Sequence, residues 1–192
     1  MPPACFVAAD GRTLRSSRFA ASWRWPSPRT TTRRRRTARR AATWPADFQV
    51  TVNLELPRPT GGRRVRRPYV AVWVEDADGK AVRTVTVWGN ARRWLPTMSG
   101  LWKVAGDDPA LVRAVTRATR APGKYTVVWD GKDDAGKPLP RGTYTIRVEV
   151  HREHGKHLFQ TGTLVCAEKP TRITLEKNAE TGETVVAYGK RK

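Results

Sequence analysis

Between Phe48 and Leu56 the chain reads FQVTVNLEL, with Phe48, Val50, Val52, Leu54 and Leu56 alternating strictly with Gln49, Thr51, Asn53 and Glu55. A period of two places the five apolar side chains on one face, so this is a strand with one buried side. YVAVWVE, residues 69–75, is apolar on both faces and reads as a central strand covered from two sides. Asp78-Gly79 then turns the chain into VRTVTVW, residues 82–88. Further on, KYTVVW aligns Tyr125, Val127 and Trp129 on one face, and GTYTIRVEV aligns Tyr144, Ile146, Val148 and Val150. Thr143, Thr145, Arg147 and Glu149 fall on the opposite face, which the alternation assigns to solvent. Asp130-Gly131, Ala135-Gly136, Pro138, Pro140 and Gly142 separate the two runs with backbone preferences that neither helix nor strand accepts. Residues 124–150 are therefore expected to form a β-hairpin with a wide ordered connection. HLFQTGTLVCA, TRITLEK and ETVVAYG supply three more short strands, the last two joined at Thr181-Gly182.

One interval breaks this pattern. Trp94, Met98, Leu101, Trp102 and Ala105 recur at helical spacing, and Asp107-Asp108-Pro109 opens a second short helix with Leu111, Val112 and Val115 on its apolar face. That helix stops before Pro122-Gly123. About eight short strands interrupted once by helix predict a mainly β fold: an antiparallel immunoglobulin-like β-sandwich over residues 46–192, with a helical insertion at about 91–121. The insertion is where specialised function is expected, because sandwiches carry theirs on the segments between strands.

Charge sets the first 45 residues apart. They hold eleven of the 37 Lys and Arg but one of the 17 acids (Asp10), so half of the net charge of +20 lies in under a quarter of the chain. With Arg33–Arg36 in a row and no periodic apolar pattern, residues 1–45 read as a disordered Arg-rich segment. No apolar stretch of the kind a twin-arginine export signal requires follows the arginines. A basic arm with Trp23, Trp25 and Trp44 available to stack on bases is the nucleic-acid reading of the same segment. No run of eighteen apolar residues is present to span a membrane. Of the two cysteines, Cys5 lies in the Arg-rich head, and Cys166, within LVCA, reads as a small buried hydrophobe.

Candidate chemistry is sparse. Asp130, Asp133 and Asp134 share a loop, but their spacing is not that of an EF-hand, and Asp is also the ordinary residue of tight turns. All three histidines fall in HREHGKH, where His151, His154 and His157 surround a turn at Gly155. Three imidazoles gathered at a hairpin tip would suit zinc, copper or haem iron, whereas the structural alternative is a polar turn with exposed histidines on either side. Residues 46–192 contain a single serine, and no nucleophile elbow, Walker loop or dinucleotide fingerprint is present. The chain is not expected to be an enzyme.

PYVAVWVEDADGKAVRTVTVWG, the Trp-rich insertion, RATRAPGKYTVVWDGKDDAGKPLPRGTYTIRVEVHREHG and the C-terminal strands resemble a bacterial family of predicted periplasmic proteins, domain of unknown function 2271, over residues 47–189. WDGKDDAGKPLPRGTYTIRVEV is also similar to the immunoglobulin-like domain of flagellar hook-capping proteins, a likeness of fold only. The family resemblance implies a periplasmic location and association with membrane redox and metal-uptake systems, notably peptidase-propeptide-like membrane reductases. It also implies that RAVTRAT, residues 113–119, corresponds to a segment Asp-x-x-Thr-Gly-Ala-Thr, similar to the sequence where flavin transferases attach FMN to the last Thr through a phosphoester. Thr119 would then be the acceptor, with Thr116 and Ala118 matching, while Arg113 replaces the Asp and Arg117 the Gly. By local chemistry alone, RAVTRATR is a basic helix end entering a Pro-Gly turn. The resulting expectation is a non-catalytic periplasmic accessory or carrier in an iron- or flavin-linked membrane redox system, with covalent FMN as candidate cofactor. The alternatives are a cofactor-free scaffold module and a basic nucleic-acid binder.

Overall fold

The computed structural model describes residues 42–58, 66–89, 94–106 and 108–191. Among the described residues nine strands form two sheets: β1 (Phe48–Leu56), β2 (Tyr69–Glu75), β3 (Ala81–Trp88), β4 (Thr116–Arg117), β5 (Gly123–Trp129), β6 (Gly142–His151), β7 (His157–Cys166), β8 (Thr171–Leu175) and β9 (Thr184–Lys190). A 3-10 turn (Leu95–Thr97) and helices α1 (Ser99–Ala105) and α2 (Pro109–Val115) lie between β3 and β4. One sheet has the order β5-β1-β9-β8 and the other β4-β3-β2-β6-β7. Their inner faces share one core, in which Val50, Val52 and Leu54 of β1 meet Val70, Val72 and Val74 of β2 and Ile146, Val148 and Val150 of β6. The fold is an immunoglobulin-like β-sandwich, antiparallel except where β4 joins β3 in parallel.

The two runs of the expected hairpin do not pair with each other. β5 pairs with β1 in the four-stranded sheet, and β6 lies between β2 and β7 in the five-stranded sheet. The connection over 130–141 therefore crosses from one sheet to the other. Alternation identifies the buried face of a strand but does not choose its neighbour, and here β1 and β2 compete successfully for the two arms. The buried faces are the expected ones: Trp129 is 1% exposed and Tyr144 3%.

That crossing is closed by residues assigned to the basic tail. Trp44 is buried, its ring 4.8 Å from Trp129 and 5.2 Å from Tyr188, and its Nε1 donates to the Phe48 carbonyl at 3.0 Å. Its backbone N–H donates to Leu139 at 3.2 Å, and Arg141 donates to Ala42 at 2.7 Å. The ring rests directly on Gly131, whose φ is +79° and where any Cβ would fall 2.2 Å from it. Trp44 is thus a core residue, and the folded body includes residues 42–45. The base-stacking role considered for Trp44 is not compatible with this burial. The remainder of the Arg-rich segment, with Trp23, Trp25 and Cys5, lies outside the described residues.

β2 is buried at every position. Its inward residues belong to the sandwich core, and its outward residues Tyr69, Ala71 and Trp73 join a second cluster with Val87, Leu95, Met98, Leu101 and Ala105. The insertion is the lid that a two-faced apolar strand requires. Its helices end at Val115, short of the expected limit near 121, and Thr116-Arg117 become strand. Trp102, grouped by its spacing with the apolar face, is 45% exposed. Asp108 caps α2, accepting from the N–H groups of Ala110 and Leu111, as the Asp-Pro start anticipated. Asp107 is outside the described residues.

Cys166 is fully buried, and burial pushes its thiol up to about 12, while the Tyr144 phenol, which donates to the Pro140 carbonyl at 2.6 Å, is likewise raised to about 12. Both groups stay neutral in the folded chain at pH values where the unfolded chain ionises them, from about 9 to 10 upward. Their contribution to stability is intact below about pH 9 and is lost as pH rises towards 12. Denaturant melts at pH 8 and pH 11 should show the loss at the higher pH, with Cys166 reacting with a thiol reagent only on unfolding. Equal stability at both values would contradict these shifts.

Candidate functional site

The insertion lies on the outer face of the five-stranded sheet, and the candidate residues gather at two of its margins. At the first, Glu149 projects from β6 beneath α1. It is completely buried, with Oε1 accepting from the Gly100 N–H at 3.0 Å and Oε2 from the Leu101 N–H at 2.7 Å. The carboxylate caps the first turn of α1 from another element, answering N–H groups that have no partner within the helix. Gly100 allows this approach, since a Cβ there would lie 2.7 Å from Phe159, 2.8 Å from Trp73 and 3.0 Å from Glu149. His157 Nε2 lies 2.6 Å from Glu149 Oε1.

His151 and His157 are opposite one another in the β6–β7 register, with ring centroids 5.0 Å apart. His151 Nδ1 meets Thr97 Oγ1 at 2.9 Å, and burial together with the neighbouring His157 lowers the His151 pKa despite Glu149. His154 sits at the turn with φ +59° and its side chain 88% exposed. The hairpin thus brings together His151 and His157 and holds His154 away. Among the described residues no group of three or more His, Cys, Asp or Glu is arranged to hold a metal ion.

At the second margin, Gly89, Leu95, Trp102, Gly106, Pro109, Val112, Arg113, Thr116, Arg117 and Ala118 enclose a cavity of about 390 Å³. The chain reaches it by an abrupt change of direction: α2 stops at Val115, the Thr116 hydroxyl donates back to the Val112 carbonyl, and the backbone pairs with Val87 and Trp88 of β3. Arg117 Nη1 donates to the carbonyls of Ala114 at 2.8 Å and Thr116 at 2.9 Å. Thr119 is half-buried just past the cavity, and the Arg120 guanidinium stands 5.8 Å from the ring centroids of both Trp88 and Tyr125. Thr116 and Ala118 therefore line the cavity together, with exposed Trp102 as its large aromatic wall.

The loop aspartates are occupied within the fold, Asp130 and Asp133 as turn residues and Asp134 by a distant strand. Asp130 accepts from the Lys132 N–H, Asp133 from Lys137 and Asp134 from Thr84. Asp134 also ties the crossing to β3, and burial raises its pKa against the opposing bond from Thr84 and the charge of Arg83.

Glu149, Thr97 and the cavity wall Trp102 were not legible as site residues. Glu149 occupies a polar-face position of β6, and the only sign of its burial is indirect: β2 beside it is apolar on both faces, so a second layer must cover that side of the sheet.

Neither the curated proteins nor the solved structures compared with the chain gave a match. Among the described residues no helix is long and apolar enough to cross a membrane. A family model described as Predicted periplasmic protein (DUF2271) matches residues 49–183, which span β1 to the approach to β9. The sandwich from Gln49 of β1 through β8, the helical lid and both margins of the candidate site fall within that match, and the chain belongs to this family of predicted periplasmic proteins, domain of unknown function 2271.

Proposed function

We propose that this periplasmic domain is a non-catalytic carrier or accessory in a flavin- or iron-linked membrane redox system, and that the cavity beneath Thr116 and Ala118 is its cofactor seat. The observation that carries this reading is the shape and chemistry of that cavity. At about 390 Å³ it falls in the size range of small-molecule sites, and Leu95, Trp102, Pro109 and Val112 offer apolar and aromatic surface to a flat ring. Arg113 and Arg117 contribute the positive charge that a phosphate requires. Thr119 follows directly, at the position where the resemblance puts an acceptor hydroxyl.

The test is an intact mass and visible spectrum of the protein exported to the periplasm of a host that expresses a flavin transferase. The expected result is one covalent FMN on the peptide containing Thr119, abolished by Thr119→Ala. An unmodified, colourless protein would overturn the flavin-carrier reading. It would favour the cofactor-free binding module, for which the edge strand β7, with Phe159 45% and Val165 49% exposed, offers a surface.

A further inference from the structure

Donor counting at the first margin assigns one tautomer to each of two histidines in their neutral form. Thr97 has one hydroxyl proton, and it goes to the Trp94 carbonyl at 2.6 Å. Towards His151 Nδ1 at 2.9 Å the hydroxyl oxygen can then only accept, so Nδ1 carries the proton and Nε2 keeps its lone pair. Glu149, already accepting from Gly100 and Leu101, accepts again from His157 Nε2, which leaves the lone pair of His157 on Nδ1. Each imidazole is thus held through one nitrogen by a fixed partner and presents the other as a ligand. This is the outer-sphere arrangement that orients histidines on metal ions, a carboxylate or hydroxyl behind each ring.

The spacing of the rings is compatible with a shared ion. With a metal–nitrogen distance of roughly 2.0–2.1 Å, an ion bound by both rings would sit about 3.2 Å from each ring centroid, and centroids 5.0 Å apart would subtend about 100° at it. That angle suits tetrahedral zinc and is far from the straight line of a two-coordinate ion. The His157 side chain is 28% exposed and His151 is half-buried, so an ion has access from solvent.

We infer that His151 Nε2 and His157 Nδ1 form a two-histidine site for a tetrahedral divalent cation of the zinc class, with Thr97 and Glu149 as positioning residues and two coordination positions left for water or for a side chain of a partner. The site is independent of the flavin reading, being on the other margin of the insertion and using none of the cavity residues. It also excludes His154, which the sequence had grouped with the other two.

The test is zinc titration of the full chain followed by the nitrogen chemical shifts of the imidazoles. The expected result is one saturable site per chain, with the large shifts on His151 Nε2 and His157 Nδ1. His151→Gln and His157→Gln should each abolish it, His154→Ala should leave it unchanged, and Thr97→Val should weaken it about tenfold by releasing the His151 tautomer. His157→Gln retains an N–H for Glu149, and the shifts on the unaltered protein do not depend on any variant folding. No saturable zinc, or zinc whose shifts fall on His154, overturns the proposal.

Discussion

Trp129→Ala is expected to lower the free energy of unfolding by about 3–5 kcal/mol, the cost of emptying a large aromatic site in a packed interior. The indole is 1% exposed at the end of β5, where the chain leaves one sheet for the other. It packs against Trp44 at 4.8 Å and Tyr144 at 5.1 Å between ring centroids, and its Nε1 donates to the Lys132 carbonyl at 2.8 Å. One residue therefore supports the inner face of both sheets, the crossing loop and the segment that carries Trp44. These neighbours cannot all collapse into the void, because Trp44 is already seated against Gly131 and Tyr144 is tied to Pro140. Urea or guanidinium melts of the two proteins measure the difference. A loss below about 1 kcal/mol would mean that the ring does not fill this position.

Glu149→Ala is the second large effect, expected at about 3 kcal/mol or more, and it acts in a different place. The substitution removes a fully buried carboxylate and leaves the N–H groups of Gly100 and Leu101 and the Nε2–H of His157 without their acceptor. Buried donors left unsatisfied cost about 1–3 kcal/mol each, less whatever water recovers in the space vacated. The loss should be concentrated in the lid. Hydrogen exchange at α1 should accelerate well beyond that of β1 and β2, whereas Trp129→Ala should loosen the whole sandwich. Uniform acceleration in Glu149→Ala, or none, would show that the carboxylate does not anchor the insertion. Because the lid forms one wall of the cavity at Thr116 and Ala118, its loosening should also reduce flavin loading, which connects this prediction to the proposed carrier role.

The family match, over residues 49–183, supports the periplasmic assignment. Function beyond that is a matter of the two margins of the lid, one proposed as the seat of a flat ring with a phosphate and the other as a site for a cation.

What the chain's own order of residues determined was which side of each strand is buried and where strands end. FQVTVNLEL, the two-faced YVAVWVE and the turns at Asp78-Gly79 and Thr181-Gly182 all follow from side-chain alternation and from backbone preferences, which are local. Only the tertiary structure decided partners. β5 and β6 went to opposite sheets because pairing is a competition among all edges of the fold, in which short separation along the chain is one term and packing against β1 and β2 outweighs it. The same reason places Trp44 in the core, since a lone aromatic in an Arg-rich stretch carries no period by which its burial could be read. Glu149 is the sharpest case. Its position on β6 marks it as solvent-facing, and only the helical lid, folded back from a distant part of the chain, makes it a buried cap and a support for His157. A side chain's face is written locally, but what covers that face is decided by the rest of the molecule.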